Sequence, residues 1–225
     1  MTDISASSLP RPQIGVFGGS FNPIHFGHLL VADELSETLA LDRVIFVPAA
    51  QPPHKPAAEL APADHRYRMT ALAVSANPRF EVSDVELVRG GPSYTVDTLT
   101  ALQPRGLLRL LIGSETFLDL LSWKEPRQVA RLARLVVVPR HSTGFDPQAP
   151  AAQKVLKELG LPQFVRPGDR PGDRDEGPLL VHAASLPISG SDLRRRAREG
   201  RSLAYRMPEA VAAYIRDHHL YRGEA

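Results

Sequence analysis

Short apolar runs alternate along this chain with longer segments whose apolar residues recur every three or four positions. The runs Ile14–Phe17, Arg43–Pro48, Phe80–Val82, Leu107–Gly113, Arg134–Pro139 and Leu179–Ala183 predict strands, most of them apolar throughout and so buried on both faces. Helical spacing predicts helices over Gly27–Ala40, Ala63–Ala76, Tyr94–Leu102, Glu125–Arg131, Asp192–Glu199 and Pro208–His218. In the first of these Leu29, Ala32, Leu35 and Leu39 share a face; in the second Met69, Leu72, Ala73 and Ala76 do; in the last, Val211, Tyr214, Ile215 and His218. Strand–helix alternation predicts an α/β fold: a doubly wound parallel sheet, with a small C-terminal helical portion over about 188–222. Ligands of such sheets bind beyond the carboxyl ends of the strands. The stretches from Gly18, Pro48, Gly113 and Pro139 onward are therefore the candidate site loops. The segment 141–178 reads as a helix near Ala152–Leu159 followed by a mobile Pro- and Gly-rich loop that includes Pro167-Gly168-Asp169-Arg170-Pro171-Gly172-Asp173-Arg174.

A chain of 225 residues with 43% hydrophobic content can bury one substantial core, so a single domain over 13–222 is expected, preceded by a flexible tail over 1–12. Cysteine is absent, which excludes disulfides, thiolate catalysis and Cys-based zinc sites. No apolar stretch approaches the roughly 20 residues of a membrane span, and the N-terminus shows no secretory h-region. A cytoplasmic protein without a membrane partner is expected. Net charge is only +2. One dense basic cluster, Arg194, Arg195, Arg196, Arg198 and Arg201, reads as a phosphate-binding helix start continued by a solvated face, with a nucleic-acid patch as the alternative.

The chemistry concentrates in Gly18-Gly19-Ser20-Phe21-Asn22-Pro23-Ile24-His25-Phe26-Gly27-His28, between the first strand and the first helix. Gly18 and Gly19 are read as a turn where the backbone adopts unusual dihedrals and approaches a ligand closely. Pro23 stiffens the turn. His25 and His28, three apart at a helix start, can donate hydrogen bonds to anionic oxygens, and Gly27 between them leaves room for a flat ring or a sugar. The spacing is neither a dinucleotide GxGxxG fingerprint nor a P-loop, since no Gly-Lys-Ser/Thr occurs in the chain.

Four further constellations stand at predicted loop or helix starts. Pro52-Pro53-His54-Lys55-Pro56 is an extended proline loop in which Lys55 could neutralise a phosphate. In Pro92-Ser93-Tyr94-Thr95, Ser93 is a plausible N-cap. Ile112-Gly113-Ser114-Glu115 ends a strand and is followed by Trp123 and Lys124, the lone Trp being either core or a platform for an aromatic ligand. Ile188-Ser189-Gly190-Ser191-Asp192-Leu193-Arg194 opens a helix whose free N–H groups, hydroxyls and Arg194 form a second phosphate cradle. His65, His141, His182, His218 and His219 fall in no motif and read as structural or exposed.

The histidine segment resembles the His-x-Gly-His signature of the nucleotidyltransferase superfamily, and its longer form is similar to that of bacterial-type nicotinate-nucleotide adenylyltransferases. The resemblance runs in consistent order from about Gln13 to Tyr221-Arg222 and takes in Pro-Pro-His-Lys, Pro-Ser-Tyr-Thr, Gly-Ser-Glu with Trp123, and Ile-Ser-Gly-Ser-x-Leu-Arg. It departs at Glu115, where the family commonly has Asp, and at Gly190, where Ser or Ala is commoner. The resemblance implies a Rossmann-like sheet and transfer of AMP from ATP to nicotinate mononucleotide, giving deamido-NAD and pyrophosphate. It implies Mg²⁺ entering with ATP and no metal site of the protein's own. His25, His28 and Arg194 would act on the reacting phosphates. Gly18, Gly19, Ser20, Phe21, His28, Lys55, Glu115, Ser189, Ser191 and Arg194 would bind ATP. His25, His54, Lys55, Thr95, Trp123 and Lys124 would bind nicotinate mononucleotide, the Trp stacking on the pyridine ring. Three alternatives are a sister transferase acting on phosphopantetheine or a phospho-alcohol, a transferase preferring nicotinamide mononucleotide, and a non-catalytic nucleotide sensor on the same fold. No nucleic-acid partner is expected, and the oligomeric state is left open.

Overall fold

The computed structural model describes residues 11–53, 56, 60–139, 144–168 and 177–222. Six strands, β1 (Gln13–Gly19), β2 (Arg43–Pro48), β3 (Phe80–Val82), β4 (Leu107–Gly113), β5 (Arg134–Val138) and β6 (Leu179–Leu180), form one sheet in the order β3-β2-β1-β4-β5-β6. Every pairing is parallel. Strand order reverses between β1 and β4, and that switch point is where a doubly wound sheet opens a crevice at its carboxyl edge.

The strands read as apolar runs because both faces are covered, and alternate side chains serve two cores. Val44, Phe46, Leu111, Val136 and Val138 face a core shared with α1 (Phe26–Thr38), α2 (Ala63–Val74), α8 (Gly190–Arg198) and α9 (Glu209–Asp217). Ile14, Val16, Ile45, Val47, Leu110, Ile112 and Val137 face the other, shared with α4 (Thr95–Leu102), α6 (Pro126–Leu132) and α7 (Pro150–Leu159). The C-terminal helices are thus welded onto the first core through Leu193, Val211 and Ile215, each no more than 3% exposed.

Two short helices, α3 (Val85–Arg89) and α5 (Ser114–Leu118), escape sequence periodicity because five residues are too few to show a face. Leu72, expected on the buried face of α2, is 38% exposed, and Arg66 takes the buried position instead, at 1%. Arg11 and Pro12, expected within the tail, are tied to the domain: Arg11 donates to the carbonyls of Gln103 and Gly106, and the Pro12 carbonyl accepts from the Leu107 N–H. β1 also runs two residues further than expected. Gly18 and Gly19 pair with Val47 and Pro48, so the glycines close the strand rather than form the turn, and neither has a positive φ.

Candidate active site

The turn lies one step later, at Phe21-Asn22-Pro23, with Phe21 in the left-handed region at φ 42°. A bulky residue there is strained and persists only where surrounding packing over-determines it. Here the packing is aromatic: the Phe21 ring, 2% exposed, meets Phe17 and Phe46 at 5.7 and 5.8 Å and the His28 imidazole edge-on at 5.2 Å. It also explains Gly19, where a Cβ would stand 3.2 Å from the Phe21 ring.

His25 is the N-cap of α1, extended at φ −154°, and its backbone N–H donates to Nδ1 of His28 at 3.3 Å. A backbone N–H can only donate, so Nδ1 of His28 carries a lone pair and the neutral ring keeps its proton on Nε2. His28 is thus a hydrogen-bond donor through Nε2 without needing to be charged. The two imidazoles are stacked at 3.8 Å and 27°. Gly27 serves this stack: a Cβ there would lie 3.0 Å from Nδ1 of His25, so the space it leaves belongs to the His25 ring and not to a ligand.

α8 comes up to the same loop. Ser189 caps it, accepting from the Asp192 N–H at 3.2 Å. At Gly190 a Cβ would be 3.1 Å from the Asn22 carbonyl oxygen, so the departure from Ser or Ala fits a tight contact with the β1–α1 loop. Arg194 donates through Nη1 to that carbonyl at 2.8 Å and through Nη2 to the Ser191 hydroxyl at 3.3 Å. Two helix N-termini, of 13 and 9 residues, therefore converge at the end of β1, each carrying the positive end of a helix dipole. Three of the four other arginines of the cluster have separate tasks: Arg195 pairs with Asp192, Arg196 donates to the Ser202 carbonyl, and Arg201 lies 3.4 Å from Glu199. Of these arginines it is Arg194 that bonds the histidine loop.

On the other side of β1 the segment Pro92–Thr95 is stitched to the loop after β2. Gln51 and Ser93 exchange two hydrogen bonds, Ser93 N–H to the Gln51 carbonyl at 2.9 Å and Gln51 N–H to the Ser93 hydroxyl at 3.1 Å. The N-cap of α4 is accordingly Tyr94 and not Ser93, whose hydroxyl is engaged by Gln51. Thr95 opens α4. Lys124 is held against Asp97 at 3.2 Å and over the Tyr94 ring at 4.8 Å, beside Trp123, which is half-buried on the second core. Glu115 stands in the first turn of α5 with its carboxylate beside Gly113. His54 and Lys55 lie outside the described residues.

Three contributors were given no role by the sequence: Asn22, inside the histidine segment, Tyr221, at the end of the resemblance, and Arg66, which lies in no motif. Asn22, 6% exposed, accepts at Oδ1 from the Ala61 N–H at 3.1 Å and from the Tyr221 hydroxyl at 2.9 Å. Arg66 donates to the carbonyls of Ala61, Ser20 and Ala50 at 2.8, 2.9 and 3.1 Å, joining the loops after β1 and β2 to the start of α2. Burial holds its guanidinium below the ordinary arginine value. The one sequence signal for Arg66 is its spacing: 66, 69, 70 and 73 share a helix face, and Met69, Thr70 and Ala73 are buried.

Comparison with known proteins shows the family of the chain. The Cytidylyltransferase-like family model matches residues 16–196. A probable nicotinate-nucleotide adenylyltransferase of Thermus thermophilus is 46% identical over 213 residues, covering 93% of this chain and 100% of that protein. Another from a Roseiflexus species is 41% identical over 93% of this chain and 98% of that one. Among solved structures, the Plasmodium falciparum nicotinic acid mononucleotide adenylyltransferase complexed with APC aligns with TM-score 0.67 at 19% identity, covering 93% of this chain and 97% of the other. The same parasite protein complexed with NaAD aligns with TM-score 0.65. At this identity the structural likeness speaks for the fold.

Proposed function

The chain belongs to the cytidylyltransferase-like family, and from that premise we propose that it is a nicotinate-nucleotide adenylyltransferase, joining nicotinate mononucleotide to ATP to give deamido-NAD and pyrophosphate. The observation that carries the reading is the convergence at the end of β1 of two helix N-termini, the Nε2–H of His28 and the guanidinium of Arg194.

In this reading a phosphate oxygen of nicotinate mononucleotide attacks the α-phosphorus of ATP in line. The P–O bond to the β-phosphate breaks as the new one forms, and pyrophosphate leaves. The nucleophile is already ionised at neutral pH, so neither a covalent intermediate nor a strong general base is required. Catalysis is positioning plus neutralisation of charge on the α-phosphate and the leaving group. His28 donates to the reacting phosphates, with His25 stacked behind it. Ser189, Ser191 and Arg194 take the phosphate chain, with Lys55 added from the loop after β2. Gly18, Gly19 and Ser20 line the nucleotide; Phe21 contributes backbone only, since its ring is buried. Trp123 and Thr95 face the pyridine ring from the α4 side. Lys124, already paired with Asp97, acts there through Tyr94 rather than as a free cation.

Among the described residues no three His, Cys, Asp or Glu side chains are grouped to hold a metal ion. Mg²⁺ in this reading is held by phosphate oxygens and water, which suits its reluctance to dehydrate, and supplies further charge neutralisation. Among the described residues no helix is long and apolar enough to cross a membrane. The reading carries a cytoplasmic location, with ATP and nicotinate mononucleotide as partners.

The test is pyrophosphate release with MgATP and, in parallel, nicotinate mononucleotide, nicotinamide mononucleotide and phosphopantetheine. A dominant rate with the nicotinate substrate is expected; preference for nicotinamide mononucleotide would overturn the substrate and keep the mechanism. Trp123→Ala should raise the KM for nicotinate mononucleotide by an amount corresponding to roughly 1–3 kcal/mol, as for a base stacked on an aromatic ring, with little change in the KM for ATP. An unchanged KM would make Trp123 a core residue.

A further inference from the structure

Arg194, which takes the phosphate chain in the adenylyltransferase reading, does not stand on α8 alone. Its Nη1 is fixed by the Asn22 carbonyl, and the Asn22 side chain is in turn fixed from two sides, by the Ala61 N–H and by the hydroxyl of Tyr221, 199 residues further along the chain. The Ala61 N–H can only donate, so the atom facing it is the amide oxygen, and the Tyr221 hydroxyl must donate to that same oxygen. Ala61 is itself gripped through its carbonyl by Arg66, which also holds Ser20 and Ala50. One connected set of hydrogen bonds thus runs from the C-terminal segment through the β1–α1 loop to the arginine at the α8 helix start. Tyr221 sits at φ 64°, a left-handed conformation that costs a bulky residue energy. Burial raises its hydroxyl well above the ordinary tyrosine value, so it remains a donor at any working pH.

We propose that Tyr221 is a positioning residue for the transfer: through its hydroxyl it locks Asn22, and through Asn22 it holds Arg194 in the orientation that meets the phosphate chain. Neither Tyr221 nor Asn22 is required to touch substrate. The proposal rests on the adenylyltransferase reading for its assay and on the hydrogen-bond geometry for its cause. A hydroxyl that served only stability would influence unfolding and leave turnover unchanged. A hydroxyl that orients Arg194 would influence the step in which charge builds on the phosphates, and only while Arg194 is present.

The experiment uses Tyr221→Phe, which keeps the ring and deletes only the donor, in the full-length chain. We expect kcat with MgATP and nicotinate mononucleotide to fall about tenfold, as for the loss of one oriented hydrogen bond, while the KM for nicotinate mononucleotide stays within about twofold. In an Arg194→Ala background the same change should have no further effect on kcat, since coupled residues are non-additive. Full turnover in Tyr221→Phe, or an equal tenfold loss in the Arg194→Ala background, overturns the proposal. Binding of a non-hydrolysable ATP analogue, measured by calorimetry, keeps the two readings apart. If wild type fails to turn over nicotinate mononucleotide, weaker analogue binding in Tyr221→Phe, absent in the Arg194→Ala background, still supports the latch, and unchanged binding rejects it. Should Tyr221→Phe fold poorly, Asn22→Asp tests the same link. It keeps both acceptor contacts and should retain turnover within about threefold, whereas Asn22→Leu should lose it; equal turnover in those two variants would also reject the latch.

Discussion

His28→Ala is expected to lower turnover at least about a hundredfold, the range seen when one oriented donor to a developing anion is removed. The expectation follows from the state in which the ring is held. The His25 N–H occupies Nδ1, so the only proton of the neutral ring is at Nε2, and the stack against His25 and the edge contact with Phe21 fix the direction of that bond. A donor positioned before substrate arrives needs no reorganisation during the reaction, which is where such groups gain over water. The fold should survive, because the variant loses one cap contact, worth about 1 kcal/mol, from a ring that is only partly buried. Steady-state kinetics and thermal unfolding on one preparation test both halves. Near-normal turnover in a folded variant would remove His28 from the chemistry.

Arg66→Met should produce the largest loss of stability, roughly 3 kcal/mol or more, since three carbonyls lose their donor and each unsatisfied buried group costs about 1–3 kcal/mol. The three acceptors belong to Ser20, Ala50 and Ala61, so the damage falls on the loops that build the site. Methionine fills much of the same volume, which keeps cavity formation from dominating the result. Against the 5–15 kcal/mol typical of a whole domain, that loss is a large fraction. Urea unfolding measures it. Arg66→Lys, able to serve some but not all of the carbonyls, should fall between the two. A loss below about 1 kcal/mol would mean that water replaces the guanidinium at these carbonyls.

Much of this was legible in the chain because it depends on local spacing. Five of the six strands were expected within two residues of their observed ends, because residues buried on both faces must be apolar throughout; β6 proved shorter, Leu179–Leu180. The starts of α1 and α8 were expected at Gly27 and Asp192, within two residues of Phe26 and Gly190, and the resemblance to the nucleotidyltransferases came from the same local words. What those words do for one another was not legible. Gly27 reads as space for a ligand until the His25 ring is seen over it, and Gly18-Gly19 reads as a turn until Val47 and Pro48 pair with it. Ser93 reads as a cap until Gln51, 42 residues earlier, engages its hydroxyl.

By itself, then, the sequence determined the layer architecture, the edge of the sheet proposed to carry the chemistry, and the types of group proposed to meet the phosphates. Each of these rests on periodicity or on residues a few positions apart. Only the tertiary structure decided how those groups are aimed: the Nε2 proton of His28, the hold of Asn22 on Arg194, the buried reach of Arg66 and the return of Tyr221 to the first loop. All but the first of these join residues far apart in the chain. A hydrogen bond across 199 residues leaves no mark in local spacing, because the partner that gives a buried polar group its role is supplied by the fold.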